Sequence, residues 1–255
     1  MAGLVGGRVA QVSGAAGRIG RGTVAVLERA APIPRRSCAR FLPDGVVVRA
    51  SYRRKFGTEP DLVCPATLNE KIQWRKLYDR DPMYTRCADK YRVREYYRRH
   101  REWQYKHIAP LILIEELLTD RAGGLPAEYR FFCFDGAPAF VEVVMGRFGP
   151  SLTVDYYDLE WAHISVTHHV YEHAHPIPRP ERLGELVFLA EALSRGFSFV
   201  RVDLYLCDDR LCFGELTFTP CAGFLRFHPP EYDRIFGEPW NVGRDRREAP
   251  FDPAG

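Results

Sequence analysis

Residues 199–220 read FVRVDLYLCDDRLCFGELTFTP, and they carry the clearest structural pattern in the chain. Apolar and aromatic residues alternate with other residues on both sides of a polar turn at residues 208–210. Such alternation around a short polar turn is the pattern of a half-buried β-hairpin. We therefore predict two paired antiparallel strands here.

Four polar side chains of this hairpin carry the chemistry. Arg201 and Asp203 share a face of the first strand, and Glu215 and Thr217 share a face of the second. If the strands pair across the turn, the two carboxylates can converge. Paired acids beside an arginine are suited to holding a divalent cation and a transferring phosphoryl group. A surface ion pair explains the spacing equally well, because isolated charge pairs are common.

The composition is that of an ordinary globular protein. Of the 255 residues, 46% are hydrophobic and 27% are charged, and the net charge of +3 is too small to argue for a nucleic-acid partner. The seven cysteines lack close metal-type spacing, which indicates reduced thiols in a cytoplasmic protein. No apolar run reaches the roughly 18 residues that a transmembrane span requires.

Composition also divides the chain. We predict a basic, Ala/Gly-rich leader over residues 1–44, one domain over residues 45–240 and a disordered tail over residues 241–255. Within the leader, residues 12–20 read VSGAAGRIG and look like a dinucleotide-binding turn. Such a site also requires a following strand and an acidic residue about 20 positions on, and neither is present. We therefore interpret this segment as part of the leader.

Three helices are predicted in the domain. Thr67 and Glu70 form a capping-box pattern, in which their side chains satisfy exposed amides at a helix start, and this helix should run through Tyr78. A second helix is predicted over residues 84–99. An amphipathic pattern predicts a third helix that opens at residues 180–181 and is closed by a glycine at residue 196.

Further strands flank these helices. Residues 129–134 and 139–144 surround Asp135-Gly136, and an Asp-Gly turn between alternating apolar runs predicts a hairpin. Residues 111–114 form a short apolar run that we interpret as another strand. The sequence thus predicts an α+β fold with a mainly antiparallel sheet and flanking helices.

A histidine-rich segment is a candidate metal site. Residues 163–175 contain five of the eight histidines of the chain, so zinc or copper must be considered. No pattern of acids or cysteines completes a ligand set, and prolines mark the segment as irregular. We favour a loop without bound metal.

Taken together, these features resemble the TupA-like (teichuronopeptide biosynthesis) branch of the ATP-grasp proteins. The segments that carry the resemblance are residues 69–79, 89–96, 101–105, 129–136 and 199–220. They span most of residues 50–240, and the last segment is the most specific.

The resemblance implies roles for the hairpin residues. Asp203 and Glu215 would bind magnesium ions that bridge the phosphates of ATP. Thr217 stands where ATP-grasp proteins usually place an asparagine as the third metal ligand. Arg201 would stabilise charge on the transferring phosphoryl group.

The resemblance also implies a nucleotide-binding segment. Glu115, Glu116, Leu117 and Leu118 resemble the hinge that receives adenine and ribose, and Arg130 stands where the branch usually has a lysine. The implied activity is an ATP- and Mg-dependent carboxylate–amine ligase that works through an acyl phosphate. It would act in cell-surface polysaccharide biosynthesis on a carboxylate-bearing glycan or peptide precursor.

One departure from the family pattern leaves alternatives open. Between Tyr96 and Arg101 we expect a block with a phosphate-binding lysine and a glycine-rich loop, and we do not find it. The predicted fold is thus truncated in the lobe that covers the nucleotide. A non-catalytic ATP-grasp binding module is therefore an alternative. A glycosyltransferase of the same pathway, with paired acids holding a metal, is another.

Overall fold

The computed structural model describes residues 42–87, 118–119, 123–147, 152–168, 174, 176–208 and 210–242. Several predictions lie outside these residues. They concern nearly all of the leader with its glycine-rich run, the second helix beyond residue 87, the strand at residues 111–114 and the tail beyond residue 242.

Antiparallel strands form the centre of the described chain. In chain order they are β1 (Glu128–Phe134), β2 (Ala137–Met145), β3 (Thr153–Tyr157), β4 (His163–Ile164), β5 (Thr167–His168), β6 (Phe199–Cys207), β7 (Arg210–Thr217) and β8 (Phe227–His228). Six of them form one sheet in the order β4-β3-β2-β1-β6-β7, and β5 pairs with β8 in a second, two-stranded sheet. The prediction of a mainly antiparallel sheet is confirmed, since every described strand pair is antiparallel.

Five described helices accompany the sheets. They are α1 (Asp44–Phe56), α2 (Leu68–Tyr78), α3 (Pro82–Cys87), α4 (Leu183–Ser194) and α5 (Tyr232–Gly237). Among the helices that the structure describes, none combines the length and the apolar composition needed to cross a membrane.

The predicted capping box at the start of α2 is confirmed. The Thr67 hydroxyl accepts a hydrogen bond from the Glu70 amide at 3.1 Å, and the Glu70 carboxylate accepts one from the Thr67 amide at 3.2 Å. The helix ends at Tyr78, as predicted. The helix predicted to open at residues 180–181 begins instead at Leu183, because the preceding residues form a turn.

One face of the six-stranded sheet is covered by α4. Leu186 and Ala190 of this helix belong to a buried cluster with Phe131, Val200 and Val202 of the sheet. Burial of large apolar side chains on this scale is the main favourable term in folding. This burial therefore stabilises the packing of α4 against β1 and β6.

The opposite face is divided into an apolar and a charged part. The apolar part is formed by aromatic residues such as Phe132, Phe134 and Phe199, which pack against α2 and α5. Phe132 of β1 lies opposite Arg201 of β6, and from this point the face becomes charged. The candidate site lies on this charged part.

Side chains of α2 form hydrogen bonds to the backbone of the segment that follows β7. Gln73 Nε2 donates to the carbonyl oxygens of Ala222 and Gly223 at 3.0 and 2.7 Å, and Lys76 Nζ donates to Ala222 O at 3.1 Å. These carbonyls belong to the turn Pro220–Gly223, where Cys221 and Ala222 adopt positive φ angles of 46° and 55°. A strained turn of this kind persists only where its surroundings hold it.

Candidate functional site

The register of β6 and β7 brings the four polar hairpin residues together. Arg201 lies opposite Thr217, and Asp203 lies opposite Glu215, so all four side chains share one face. The pairing shifts by one residue at Gly214, which has no opposing residue. Without that shift Glu215 would oppose Val202 and face the apolar side under α4. The predicted convergence of the two acids therefore depends on Gly214.

Arg201 is the hub of this group. Its Nε donates to Asp203 Oδ1 at 2.7 Å, and its Nη2 donates to Asp203 Oδ2 at 2.6 Å. Nη2 also lies 3.2 Å from Thr217 Oγ1 and 3.4 Å from Glu215 Oε1. The Thr217 hydroxyl in turn donates to Glu215 Oε1 at 2.9 Å. One guanidinium nitrogen thus meets an oxygen of each predicted metal ligand.

Burial differs sharply within the group. The side chain of Asp203 is 0% exposed and that of Arg201 is 9% exposed, while that of Glu215 is 20% exposed. Burial raises the pKa of Asp203, and the charge of Arg201 only partly offsets this effect. Of the two acids, Glu215 is therefore the one that is accessible to solvent.

Arg130 continues the charged face on β1. It lies opposite Asp203 on β6 and opposite Glu142 on β2. Its Nη2 donates to Glu128 Oε2 at 2.8 Å and its Nη1 donates to Glu142 Oε2 at 3.2 Å. Its Nε is buried and has no hydrogen-bond partner among the described residues. Arg130 is thus held between two acids, and its buried Nε has no acceptor among the described residues.

A second register shift positions Glu142. Phe132 lies opposite Phe140, whereas Cys133 lies opposite Pro138, so Ala139 is left unpaired. Without this shift Glu142 would lie on the face covered by α4. Burial alone raises the pKa of Glu142, but the charge of Arg130, with smaller contributions from His168 and Arg201, outweighs it and lowers the pKa to about 2.

Beyond Glu142 the polar contacts reach the small sheet. The Tyr156 hydroxyl donates to Glu142 Oε1 at 3.1 Å and lies 2.7 Å from His168 Nδ1. Since this hydroxyl has one proton to donate, the geometry fits donation from His168 Nδ1 to the tyrosine oxygen. Burial lowers the pKa of His168, with Glu142 acting in the opposite direction. His168 is therefore a buried structural partner of the site.

At its other end the charged face reaches solvent. Arg147 Nη1 donates to Glu128 Oε2 at 2.7 Å, and the Tyr205 hydroxyl donates to Glu128 Oε1 at 3.2 Å. The Arg147 side chain is 40% exposed, whereas that of Glu128 is 2% exposed. Among the described residues, this end of the charged face is therefore partly exposed to solvent.

We call the whole group the charged cluster. Its members are Glu128, Arg130, Glu142, Arg147, Arg201, Asp203, Glu215 and Thr217. Four carboxylates accompany three guanidiniums, so formal charge leaves one negative charge in excess.

The structure places the predicted site residues unevenly. Arg130 and the four hairpin residues lie together in the cluster. Glu115, Glu116 and Leu117 lie outside the described residues. Leu118 is described and partly buried. The hinge for adenine and ribose therefore stays a prediction.

The histidine-rich segment is described only in part. His163 Nε2 lies 3.2 Å from Asp155 Oδ1, while His168 contacts Tyr156. No group of three histidine, cysteine or acidic side chains that could hold a metal occurs among the described residues. His169, His173 and His175 lie outside them.

Sequence reasoning missed Glu128, Glu142 and Arg147. A signal for two of them was present, because Glu128 stands two residues before Arg130, and Glu142 interrupts a run of valines in the partner strand. A lone charge inside an apolar strand commonly has a buried partner. The signal could not be used without the register, since unshifted pairing from the Asp135-Gly136 turn would place Glu142 opposite Tyr129, on the face covered by α4.

The mixed helices and the mainly antiparallel six-stranded sheet are consistent with an ATP-grasp protein, and comparison with protein families supports this class. The profile of the TupA-like ATPgrasp family matches residues 92–241, which is more than half of the chain. This chain belongs to the TupA-like ATP-grasp family. The match begins after α3, so the capped helix α2 lies outside it. No curated protein and no solved structure matches the chain.

Proposed function

We propose that this protein is an ATP-grasp enzyme of the carboxylate ligase type that acts in cell-surface polysaccharide biosynthesis. One observation carries the proposal: oxygen atoms of Asp203, Glu215 and Thr217 converge on Nη2 of Arg201, in a chain of the TupA-like ATP-grasp family. The pathway and the carboxylate-bearing substrate, a glycan or peptide precursor, rest on the family resemblance. Because the reaction consumes ATP, we propose that it takes place in the cytoplasm.

The donor set fits magnesium in its chemistry. Mg²⁺ prefers oxygen ligands and is usually held by one or two carboxylates together with the phosphates of its substrate. Asp203 and Glu215 would supply the carboxylates, and Thr217 would supply a neutral oxygen. Bound there, the metal would neutralise charge on the phosphates of ATP.

The arginines have separate roles in the proposed reaction. The substrate carboxylate attacks the γ-phosphorus of ATP, which gives an acyl phosphate and ADP, and an amine then displaces phosphate. Arg201 lies next to the proposed metal ligands and would stabilise charge on the transferring phosphoryl group. Arg130, with its unused buried Nε, would contact the nucleotide from β1.

Isothermal titration calorimetry with ATP and MgCl₂ tests the proposal. We expect saturable binding to the wild-type protein, weakened about tenfold, or by about 1.4 kcal/mol, in Glu215→Gln. Glu215 suits this test because it is the most exposed acid of the hairpin pair. Glu191→Gln on α4 is the matched control, since Glu191 is exposed and lies across the sheet. Absence of ATP binding by the wild-type protein would refute the proposed enzymatic function.

A non-catalytic binding module is the second candidate. It is favoured by the state of Asp203, whose two oxygens are both bonded to Arg201. A module of this kind would bind ATP without releasing ADP in the presence of any carboxylate and amine. ADP release that Glu215→Gln abolishes and Glu191→Gln preserves would exclude it.

A further inference from the structure

The position of one atom of Arg201 carries an inference about how metal enters the site. Nη2 lies 2.6 Å from Asp203 Oδ2, 3.2 Å from Thr217 Oγ1 and 3.4 Å from Glu215 Oε1. These three oxygens therefore converge on the guanidinium nitrogen. A cation that used the same three oxygens would have to take the place of Nη2.

Two cations cannot share this place. Like charges at contact distance repel strongly, and most strongly where water is excluded. Asp203 is fully buried and gives both of its oxygens to Arg201, so a metal ion that approaches alone must break a buried bidentate ion pair. Removing one partner of such a pair carries a large cost, because the other charge is left buried and uncompensated.

Arg201 nevertheless has one nitrogen to offer an incoming ligand. Nε and Nη2 make all four of its described hydrogen bonds, and Nη1 makes none of them. Guanidinium groups bind phosphate oxygens through paired N–H donors. A polyphosphate that reaches Nη1 can thus become the new partner of Arg201 and free the carboxylate of Asp203.

We propose that Arg201 excludes divalent metal from Asp203, Glu215 and Thr217 until a polyphosphate draws the guanidinium away, so that metal and nucleotide bind together. This inference rests on the proposed function, because the polyphosphate is taken to be that of a nucleoside triphosphate. It assigns Arg201 a role in the order of binding, in addition to its role beside the transferring phosphoryl group.

Binding of Mn²⁺ alone, measured from the paramagnetic resonance signal of the free ion, tests the proposal. We expect no saturable binding of Mn²⁺ to the wild-type protein without nucleotide. We expect saturable binding to Arg201→Gln, with an affinity about tenfold or more above the detection limit that the wild-type protein sets. Arg147→Gln is the matched control. It removes one positive charge from the same cluster, but Arg147 contacts Glu128 rather than the metal ligands. We expect no gain in Mn²⁺ affinity for this control.

Two results would overturn the proposal. One is saturable Mn²⁺ binding by the wild-type protein in the absence of polyphosphate, and this measurement stands even where Arg201→Gln does not fold. The other is an equal gain in Mn²⁺ affinity in Arg201→Gln and Arg147→Gln, which would show that the loss of one positive charge alone explains the gain. Wild-type protein dialysed with Mn²⁺ should retain the ion only when inorganic tripolyphosphate is also present. Failure of ATP to bind in calorimetry would refute the proposed enzyme but would leave the comparison of the two variants decisive.

Discussion

The guanidinium of Arg201 donates hydrogen bonds to both carboxylate oxygens of Asp203, with Nε–Oδ1 and Nη2–Oδ2 distances of 2.7 and 2.6 Å. Both residues stand on β6, two positions apart, so a single strand supplies both charges. Bidentate pairs of this kind are short and strong, and they constrain orientation as well as distance. The pair therefore fixes the geometry of the charged cluster at its centre.

Breaking this pair from one side is expected to destabilise the fold strongly. Asp203→Leu leaves the Arg201 guanidinium buried without its counter-charge, and such losses cost about 3–5 kcal/mol. The double variant Arg201→Met with Asp203→Leu leaves neither charge unpaired. Its loss of unfolding free energy should be smaller than the sum of the losses in Arg201→Met and Asp203→Leu, with a coupling energy of up to about 3 kcal/mol. Urea unfolding of the four proteins measures this coupling, and strict additivity would contradict it.

Gly214 is expected to tolerate no side chain. A Cβ at this position would lie 2.8 Å from Tyr205 Cε2 and 2.9 Å from the carbonyl oxygen of Asp203, and the backbone atom cannot easily yield. Gly214→Ala should therefore lower the free energy of unfolding by about 1–3 kcal/mol. It should also weaken ATP binding, because the register that aligns Glu215 with Asp203 is disturbed.

Gly184→Ala is the control for this glycine. Gly184 lies in α4, and an added Cβ there would meet no atom within 4 Å. Replacing a helical glycine by alanine at an open position stabilises a protein by about 0.4–1 kcal/mol. Equal stability of the two variants in urea unfolding would show that Gly214 is not spatially constrained.

Glu142 is expected to make the protein sensitive to acid. Its pKa in the folded state is about 2, below the ordinary value of 4.5, so between these values the unfolded chain binds more protons than the folded one. The stabilising contribution is therefore complete above about pH 4.5 and is lost as the pH falls towards about 2. Unfolding free energies measured by urea at about pH 5 and about pH 3 should show this loss in the wild-type protein.

Glu142→Gln should remove this part of the pH dependence, since glutamine does not titrate. The variant will also be less stable at neutral pH, because Arg130 loses one of its two acidic partners. Glu191→Gln, an exposed residue of α4, should retain the wild-type acid sensitivity. An unchanged slope in Glu142→Gln would mean that other groups account for the acid response.

Lys71 is expected to hold the C-terminal described segment to α2. Its Nζ donates to the carbonyl oxygens of Gly237 and Trp240 at 2.8 and 2.6 Å, and the residue is 8% exposed. Lys71→Met leaves these two carbonyls without their donor. An unsatisfied buried polar group costs about 1–3 kcal/mol, so a loss of at least this size is expected in urea unfolding. Arg54→Met, on the exposed side of α1, should change stability by less than about 0.5 kcal/mol.

Local patterns were sufficient where the structure depends on local interactions. The capping box of Thr67 and Glu70 is formed by residues three positions apart, and the Asp135-Gly136 turn joins adjacent strands. Both were predicted because the interacting groups lie within a few residues of one another. The buried lysine and arginine side chains of α2 were not predicted, because their partners are carbonyls far along the chain.

The sequence alone determined the hairpins, the capped helix, the antiparallel sheet and the ATP-grasp family. Alternation, turn residues and family motifs are all patterns of residues close together in the chain. Only the tertiary structure decided which acids share a face. Shifts of one residue at Gly214 and Ala139 carry Glu215 and Glu142 onto the face of Arg201 and Arg130. Side chains alternate with a period of two along a strand, so a shift of one residue exchanges the two faces. Whether such a shift occurs depends on how neighbouring strands and helices pack, which alternation within a single strand does not record.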